Sequence, residues 1–211
     1  MFRDFKADWS IGAELPQFDE ATVKNEPMLF GASLDFAFQH GGPITRAFLD
    51  RLDIGGNAII DSRVHMLKFG WYPAIPGWHL DSIPRSKTNR QPDFSIDTSE
   101  LRATFALVGD VSKTQFLHRG ETIRLWCPDG KRWSEFSRDI NSLLTDGEAH
   151  VEFAPAGRLI HFGPTDFHRA SPATGDGWRM FIRAVSGVPV EHRNEIRKQT
   201  QVYLHELEAG W

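Results

Sequence analysis

From residue 58 onward, the chain is a series of short β-prone segments separated by turn residues. The segments are rich in β-branched and aromatic side chains, and Gly, Pro and Asp lie between them. Too few helical patterns intervene for a parallel sheet built from βαβ units. The sequence therefore predicts a mainly β fold, a double-stranded β-helix (jelly roll) with a few flanking helices. The segments are AIIDSRVHMLKFGWY, GWHLDSI, LRATFALVGDV, TQFLHR, ETIRLWC, AHVEFAP, GRLIHFG, DFHRAS and WRMFIRAV.

Three other segments predict helices. Residues 43–52 begin with a proline and repeat apolar residues at helical spacing. The segment SEFSRDINSLL predicts a helix capped by Ser134, and the charged segment after residue 187 predicts a helix packed on the outside. A length of 211 residues suits a single domain. We predict a single jelly-roll domain over 1–211, with an N-terminal extension carrying a helix over 1–60, a core over 63–186 and a helical tail over 187–211.

Composition restricts the classes of function and the cellular setting. There are 24 basic and 28 acidic side chains, and a net charge of −4 argues against a surface devoted to nucleic acid. Cys127 is the only cysteine, which excludes an intrachain disulfide and favours a reducing setting. No run approaches the ~20 apolar residues of a membrane span, and the first ten residues lack a signal-peptide core. We therefore expect a cytoplasmic protein without a membrane partner.

His79 and Asp81, in the segment GWHLDSI, are candidate metal ligands. Residues two apart on a strand project to the same face, so one imidazole and one carboxylate would share a point in space. A triplet of this kind is common enough by chance to need support elsewhere in the chain. Two His and one carboxylate with open positions form the facial triad of non-haem Fe(II) oxygenases. The candidate third ligand is His168, in the segment DFHRAS.

Two motifs in this order resemble Fe(II)/2-oxoglutarate-dependent dioxygenases over about residues 63–186. The segment LKFGWYPAIPGWHLD is similar to the Trp-His-x-Asp segment of the phytanoyl-CoA-hydroxylase-like branch. The segment GPTDFHRASPATGDGWRMFIRAV resembles the distal half, in which a second His precedes an Arg that binds the far carboxylate of 2-oxoglutarate. Arg179 follows His168 by 11 residues, where the family has about ten. The Ser that many relatives carry two residues after this Arg is missing here.

The resemblance implies a cofactor set and a reaction. His79, Asp81 and His168 would hold Fe(II), and Arg179 would bind 2-oxoglutarate through charge-assisted hydrogen bonds. Arg183 lies four residues further on the same strand face and is the alternative anchor, or a contact of the substrate. With dioxygen, such an enzyme oxidises its substrate, usually by hydroxylation, and releases succinate and carbon dioxide. The iron and the cosubstrate supply the chemistry, and the protein positions them.

Several residues compete with this assignment. His161, seven residues before His168, could be the distal ligand, although its distance from Arg179 suits the family poorly. His150 and Glu152 also share a strand face and could hold a different metal, but a partly solvated edge strand is the simpler interpretation.

Other functions also fit these residues. A cupin-like isomerase or metal-dependent hydrolase would keep the metal without 2-oxoglutarate, and a non-catalytic jelly-roll binding protein would need neither. We expect a small-molecule substrate, and the basic loop residues Arg85, Lys87 and Arg90 would suit an anionic one. The same loop keeps a nucleotide or nucleic acid as an alternative. The oligomeric state does not follow from the sequence.

Overall fold

The computed structural model describes residues 1–54, 57–187 and 191–204. In chain order the helices are α1 (Glu20–Asn25), α2 (Leu34–His40), α3 (Pro43–Leu49) and α4 (Trp133–Thr145). The strands are β1 (Phe2–Lys6), β2 (Ser10–Glu14), β3 (Leu29–Phe30), β4 (Ile59–Leu67), β5 (Arg102–Val108), β6 (Thr114–Leu117), β7 (Thr122–Trp126), β8 (Val151–Phe153), β9 (Arg158–Phe162), β10 (His168–Ala170), β11 (Gly177–Ser186) and β12 (Glu195–Ile196).

The largest sheet has five antiparallel strands in the order β2-β9-β5-β11-β4. A second sheet has the order β10-β6-β8, and two strand pairs, β1 with β7 and β3 with β12, complete the described β structure. The protein is mainly β with several sheets, as predicted, and this arrangement is compatible with a jelly roll. No helix in the described ranges is long and apolar enough to cross a membrane.

The five-stranded sheet separates two apolar cores because its side chains alternate between faces. On one face, Ile60, Met180 and Ile182 pack with apolar residues of α1, α2 and α3. On the other face, Phe105 and Phe162 pack with side chains of the three-stranded sheet and α4. The odd-numbered residues of β11 from 179 to 185 lie on this second face. The polar residues among them, Arg179 and Arg183, therefore point into the space between the two sheets.

The N-terminal residues are part of the sheets, in contrast to the predicted extension over 1–60. The strand β1 pairs with β7 in register from Phe2–Trp126 to Lys6–Thr122, and β2 forms one edge of the five-stranded sheet. The apolar residues of β1, Phe2 and Phe5, are three positions apart, so the sequence of this segment lacks the alternation that would predict a strand.

The predicted C-terminal helix is wrong for residues 191–204, which contain no helix. The strand β12 pairs with β3, the Thr200 hydroxyl donates to the Val64 carbonyl (3.2 Å), and Tyr203 forms a β-bridge with Tyr72. These long-range contacts hold the segment extended despite its helical composition. The rest of the predicted tail helix, at 188–190 and 205–211, lies outside the described residues.

The helix α4 begins before the predicted Ser134 cap. Its N-cap is Arg132, whose backbone N–H donates to the Glu135 carboxylate (2.9 Å). Because this contact supplies the cap, the first turn already includes Trp133, which packs in the core.

Candidate metal centre

The structure brings the three predicted ligands His79, Asp81 and His168 together. Atoms able to bind a metal, one from each residue, all lie within 4.8 Å of one another. His79 and His168 form an isolated antiparallel β-bridge in which each backbone N–H donates to the other carbonyl at 3.1 Å. The bridge sets the two rings side by side, with centroids 4.6 Å apart. The predicted strand GWHLDSI is thus reduced to a single bridge, which still fixes His79 against His168.

Backbone carbonyls fix the tautomers of both histidines. His79 Nδ1 lies 3.0 Å from the Gly77 carbonyl, and His168 Nδ1 lies 2.9 Å from the Asp166 carbonyl. A carbonyl only accepts, so each Nδ1 carries the proton and each Nε2 presents a lone pair. The two Nε2 atoms lie 3.8 and 3.7 Å from the Asp81 carboxylate oxygens. Two imidazole nitrogens and one carboxylate, oriented by outer hydrogen bonds, are a donor set that fits a divalent transition metal.

The protonation states also suit a metal. Burial lowers the pKa of His79 to about 4, so its ring is neutral at pH 7. Burial alone would raise the pKa of the Asp81 carboxyl, but Arg183 holds it well below its usual range. A neutral imidazole and an ionised carboxylate are the forms that bind metal ions, so no proton has to leave these two groups near neutral pH.

Arg183 belongs to a cluster of charges around this centre. Its Nη1 donates to Asp81 Oδ2, and its Nη2 lies 3.8 Å from Asp61 Oδ2. Asp61 also lies 3.4 Å from the guanidinium of Arg197. The guanidinium of Arg183 is therefore already paired with carboxylates.

Arg179 has a different environment. It is 3% exposed, and its Nε donates to the Ser112 carbonyl at 2.9 Å. Burial, and secondarily the charge of Arg63, lowers the pKa of Arg179 to about 9. Within residues 1–54, 57–187 and 191–204, no carboxylate forms an ion pair with it. A buried cation without a carboxylate is costly, so this position favours an anionic ligand.

Both arginines and all three candidate ligands line one cavity of about 260 Å³. Strand register explains the arrangement, because β4 and β11 present alternate residues to the same space. Across these strands, Asp61 is opposite Arg183, Arg63 is opposite Phe181 and His65 is opposite Arg179. The remaining lining residues are Pro73, Ala74, Phe105, Thr114, Phe162 and Ala170.

His65 is a buried cavity residue that the sequence interpretation did not include in the site. It is 2% exposed, and neither ring nitrogen makes a well-formed hydrogen bond to a described residue, although the Gln201 backbone lies nearby. Burial, followed by the charge of Arg179, lowers the pKa of His65 to about 4. The sequence signal was its spacing from Asp61 and Arg63, which places all three on one strand face.

Asp166 was also missed, and it positions His168. Its carboxylate accepts backbone N–H groups from Asp8 (2.7 Å), Trp9 (3.0 Å) and Gly163 (2.7 Å). Its own carbonyl accepts the Nδ1 proton of His168. Asp166 thereby ties the N-terminal segment to a candidate ligand. The position of Asp166 in the turn GPTD was the available sequence signal for this residue. Its hydrogen bonds to residues 8 and 9 could not be predicted from the sequence, because those residues are far away in the chain.

The competing residues lie elsewhere. His161 Nδ1 is 2.9 Å from the Thr104 hydroxyl and does not line the cavity. His150 pairs with Glu121, and Glu152 pairs with Arg119, rather than with each other. The basic loop residues are also absent from the cavity lining; these are Arg85, Lys87 and Arg90.

No protein-family model and no curated protein matches this chain. Among solved structures, it is similar to an N-substituted L-amino acid dioxygenase from Burkholderia ambifaria, at 15% identity over 67% of this chain and 57% of that one, with a TM-score of 0.38. The same enzyme in complex with alpha-KG gives 15% identity, coverage of 66% and 56%, and a TM-score of 0.35. The nickel complex of the non-haem monooxygenase ThoJ is 12% identical over 85% of this chain and 73% of that one, with a TM-score of 0.39. This chain thus spans less than two thirds of the first two structures. The likeness is remote, and neither a substrate nor a reaction is transferred from it.

Proposed function

We propose that the protein is a non-haem Fe(II) oxygenase that uses 2-oxoglutarate and dioxygen to hydroxylate a small-molecule substrate. One observation carries the proposal. The converging donors of His79, Asp81 and His168 line the same cavity as Arg179, a buried arginine without a carboxylate partner in the described part of the chain. A metal and an anion are the two ligands that this cavity favours electrostatically.

The roles of the residues follow from their contacts. His79 and His168 would bind Fe(II) through Nε2, because their Nδ1 protons are held by backbone carbonyls. Asp81 would supply the carboxylate, which Arg183 keeps ionised. When bound, the iron would supply the oxygen chemistry, with 2-oxoglutarate converted to succinate and carbon dioxide. The protein would contribute position and charge.

Arg179 is the stronger candidate for binding the far carboxylate of 2-oxoglutarate. The guanidinium of Arg183 already contacts Asp81 and Asp61, whereas among the described residues Arg179 hydrogen-bonds the Ser112 carbonyl and lies over the Phe181 ring, without a carboxylate partner. Its planar guanidinium can form bidentate hydrogen bonds to a carboxylate. Thr114 also lines the cavity and offers a hydroxyl in place of the missing Ser.

Anaerobic calorimetry tests the proposal. Fe(II) is titrated into the metal-free protein, and 2-oxoglutarate is then titrated into the metal-loaded protein. We expect His79→Ala to abolish Fe(II) binding. We expect Arg179→Gln to retain Fe(II) and to bind 2-oxoglutarate roughly tenfold to a hundredfold more weakly, the effect of losing a charged hydrogen-bond partner. The matched control is Arg124→Gln, at an exposed arginine on β7 outside the cavity lining.

The outcomes separate the alternatives. A wild-type protein that binds Fe(II) but not 2-oxoglutarate would contradict the oxygenase proposal and support a cupin-like isomerase or hydrolase. A protein that binds neither would support a non-catalytic binding role.

A further inference from the structure

Arg63 faces the same cavity from a position that the proposed reaction does not use. It lies on β4 between Asp61 and His65, which share its face, and opposite Phe181 on β11. Arg63 is exposed, whereas Arg179 is buried. Arg63 therefore lies toward the solvent side of the cavity. Arg63 makes no hydrogen bond or ion pair with any other described residue.

The charges of the cavity do not balance without a further anion. Three arginines and two aspartates line it. A divalent metal would add two positive charges, and 2-oxoglutarate would bring two negative charges. One positive charge then remains. Since Arg183 contacts two carboxylates and Arg179 would hold the cosubstrate, the uncompensated charge falls on Arg63.

Neighbouring groups point to the same location. Burial is the main cause that lowers the pKa of Arg179 and of His65, and the charge of Arg63 lowers both further, so its guanidinium acts on two buried residues of the cavity lining. An anion beside Arg63 would relieve this repulsion.

We infer that Arg63 binds a carboxylate of the substrate, and that the substrate is a small monocarboxylic acid with an apolar body. The guanidinium fork matches carboxylate geometry, and a single arginine at this position suits one carboxylate group. Phe181, Phe105 and Phe162 line the same cavity and provide apolar contacts for the rest of the molecule. This inference rests on the proposed function, which supplies the metal and 2-oxoglutarate.

Matched pairs of acids and amides test the inference by binding alone. The protein is loaded anaerobically with Fe(II) and saturating 2-oxoglutarate. Hexanoate with hexanamide, and phenylacetate with phenylacetamide, are then titrated by calorimetry. Each amide keeps the shape of its acid without the charge. We expect at least one acid to bind roughly tenfold to a hundredfold more tightly than its amide, as for a hydrogen bond to a charged group.

Three variants locate the effect. In Arg63→Gln the preference for the acid should disappear, and in Arg63→Lys it should be largely retained because the charge remains. Arg124→Gln, which removes the same charge at an exposed position outside the cavity, should behave like the wild type. An absent preference in the wild type, or one that persists in Arg63→Gln, would overturn the inference. If the wild type also failed to bind 2-oxoglutarate, the proposed function would fall with it; if 2-oxoglutarate bound normally, only the Arg63 assignment would fall.

Discussion

The two ends of the cavity contain the same residue type in opposite electrostatic settings. Arg183 and Arg179 lie four residues apart on one face of β11. Burial alone would lower the pKa of Arg183, but Asp81 and Asp61 raise it above its ordinary value. Burial lowers the pKa of Arg179 to about 9, and no carboxylate in the described ranges offsets it. The difference shows that carboxylates from distant parts of the chain decide whether a buried arginine has an ion-pair partner.

The largest effect is expected for Arg183→Met, which removes the cation between two carboxylates. The side chains of Arg183 and Asp81 are 23% and 19% exposed, so the loss should lie in the lower part of the range for buried pairs. We expect the free energy of unfolding to fall by roughly 2–4 kcal/mol. Urea unfolding of the metal-free protein at pH 7 measures it. The control is Arg124→Met, and a loss no larger than in this control would contradict the assigned pairing.

The sequence predicted five of the residues that line this cavity, but it could not separate the two arginines of β11. The spacing of Arg179 and Arg183 placed both on one face, but it could not distinguish them. Their difference depends on Asp81, 102 residues away from Arg183, and on Asp61 across β4. The motif order did predict His79, Asp81 and His168, which the structure brings together. The prediction held although His79 forms only a β-bridge rather than part of a strand, because the His79–Asp81 spacing does not require a longer strand.

Other features depended on long-range contacts that local patterns do not contain. Each strand-prone segment from residue 59 to 186 contains an observed strand, apart from GWHLDSI. In contrast, β1 and β12 were missed because their partners, β7 and β3, provide pairing that neither short segment indicates. The same limit applies to Asp166, whose carboxylate bonds to residues 157 and 158 positions away.

At the metal end, Asp166→Asn should weaken metal binding while leaving the ligands in place. The amide keeps one acceptor oxygen but loses the other, so the carbonyl that orients His168 is held less firmly. We expect Fe(II) affinity to fall roughly tenfold to a hundredfold, as for other outer hydrogen-bond partners of metal ligands. Anaerobic calorimetry measures it, with the exposed Asp4→Asn as the control. Unchanged affinity would show that the β-bridge alone orients His168.

At the other end, His65 should make stability depend on pH. Its pKa of about 4 in the folded protein lies below the usual 6.5, so the unfolded chain binds more protons between these values. Stability is therefore present above pH 6.5 and is lost as pH falls toward 4. Between pH 7 and pH 5, we expect His65 to contribute a loss of about 2 kcal/mol.

This contribution can be isolated by comparing variants, since His79 titrates in the same direction. Urea unfolding of the metal-free protein at pH 7 and pH 5 should give a smaller decrease for His65→Gln than for the wild type. The control variant is His118→Gln, at an exposed histidine outside the cavity lining. Equal decreases in the wild type and in His65→Gln would refute the contribution of His65.

The smallest effect on stability is expected for Arg179→Met, which, unlike Arg183→Met, should cause no loss of stability. Methionine removes a desolvated charge that has no carboxylate, at the loss of one hydrogen bond to Ser112. We expect the free energy of unfolding of the metal-free protein to stay the same or to rise by up to roughly 1 kcal/mol. A 2-oxoglutarate concentration 100 times its dissociation constant should stabilise the metal-loaded wild type by about 2.7 kcal/mol, and Arg179→Met by much less. If Arg179→Met instead loses as much stability as Arg183→Met, the metal-free protein stabilises the charges of both arginines equally. Arg179 would then have no need of an anionic ligand.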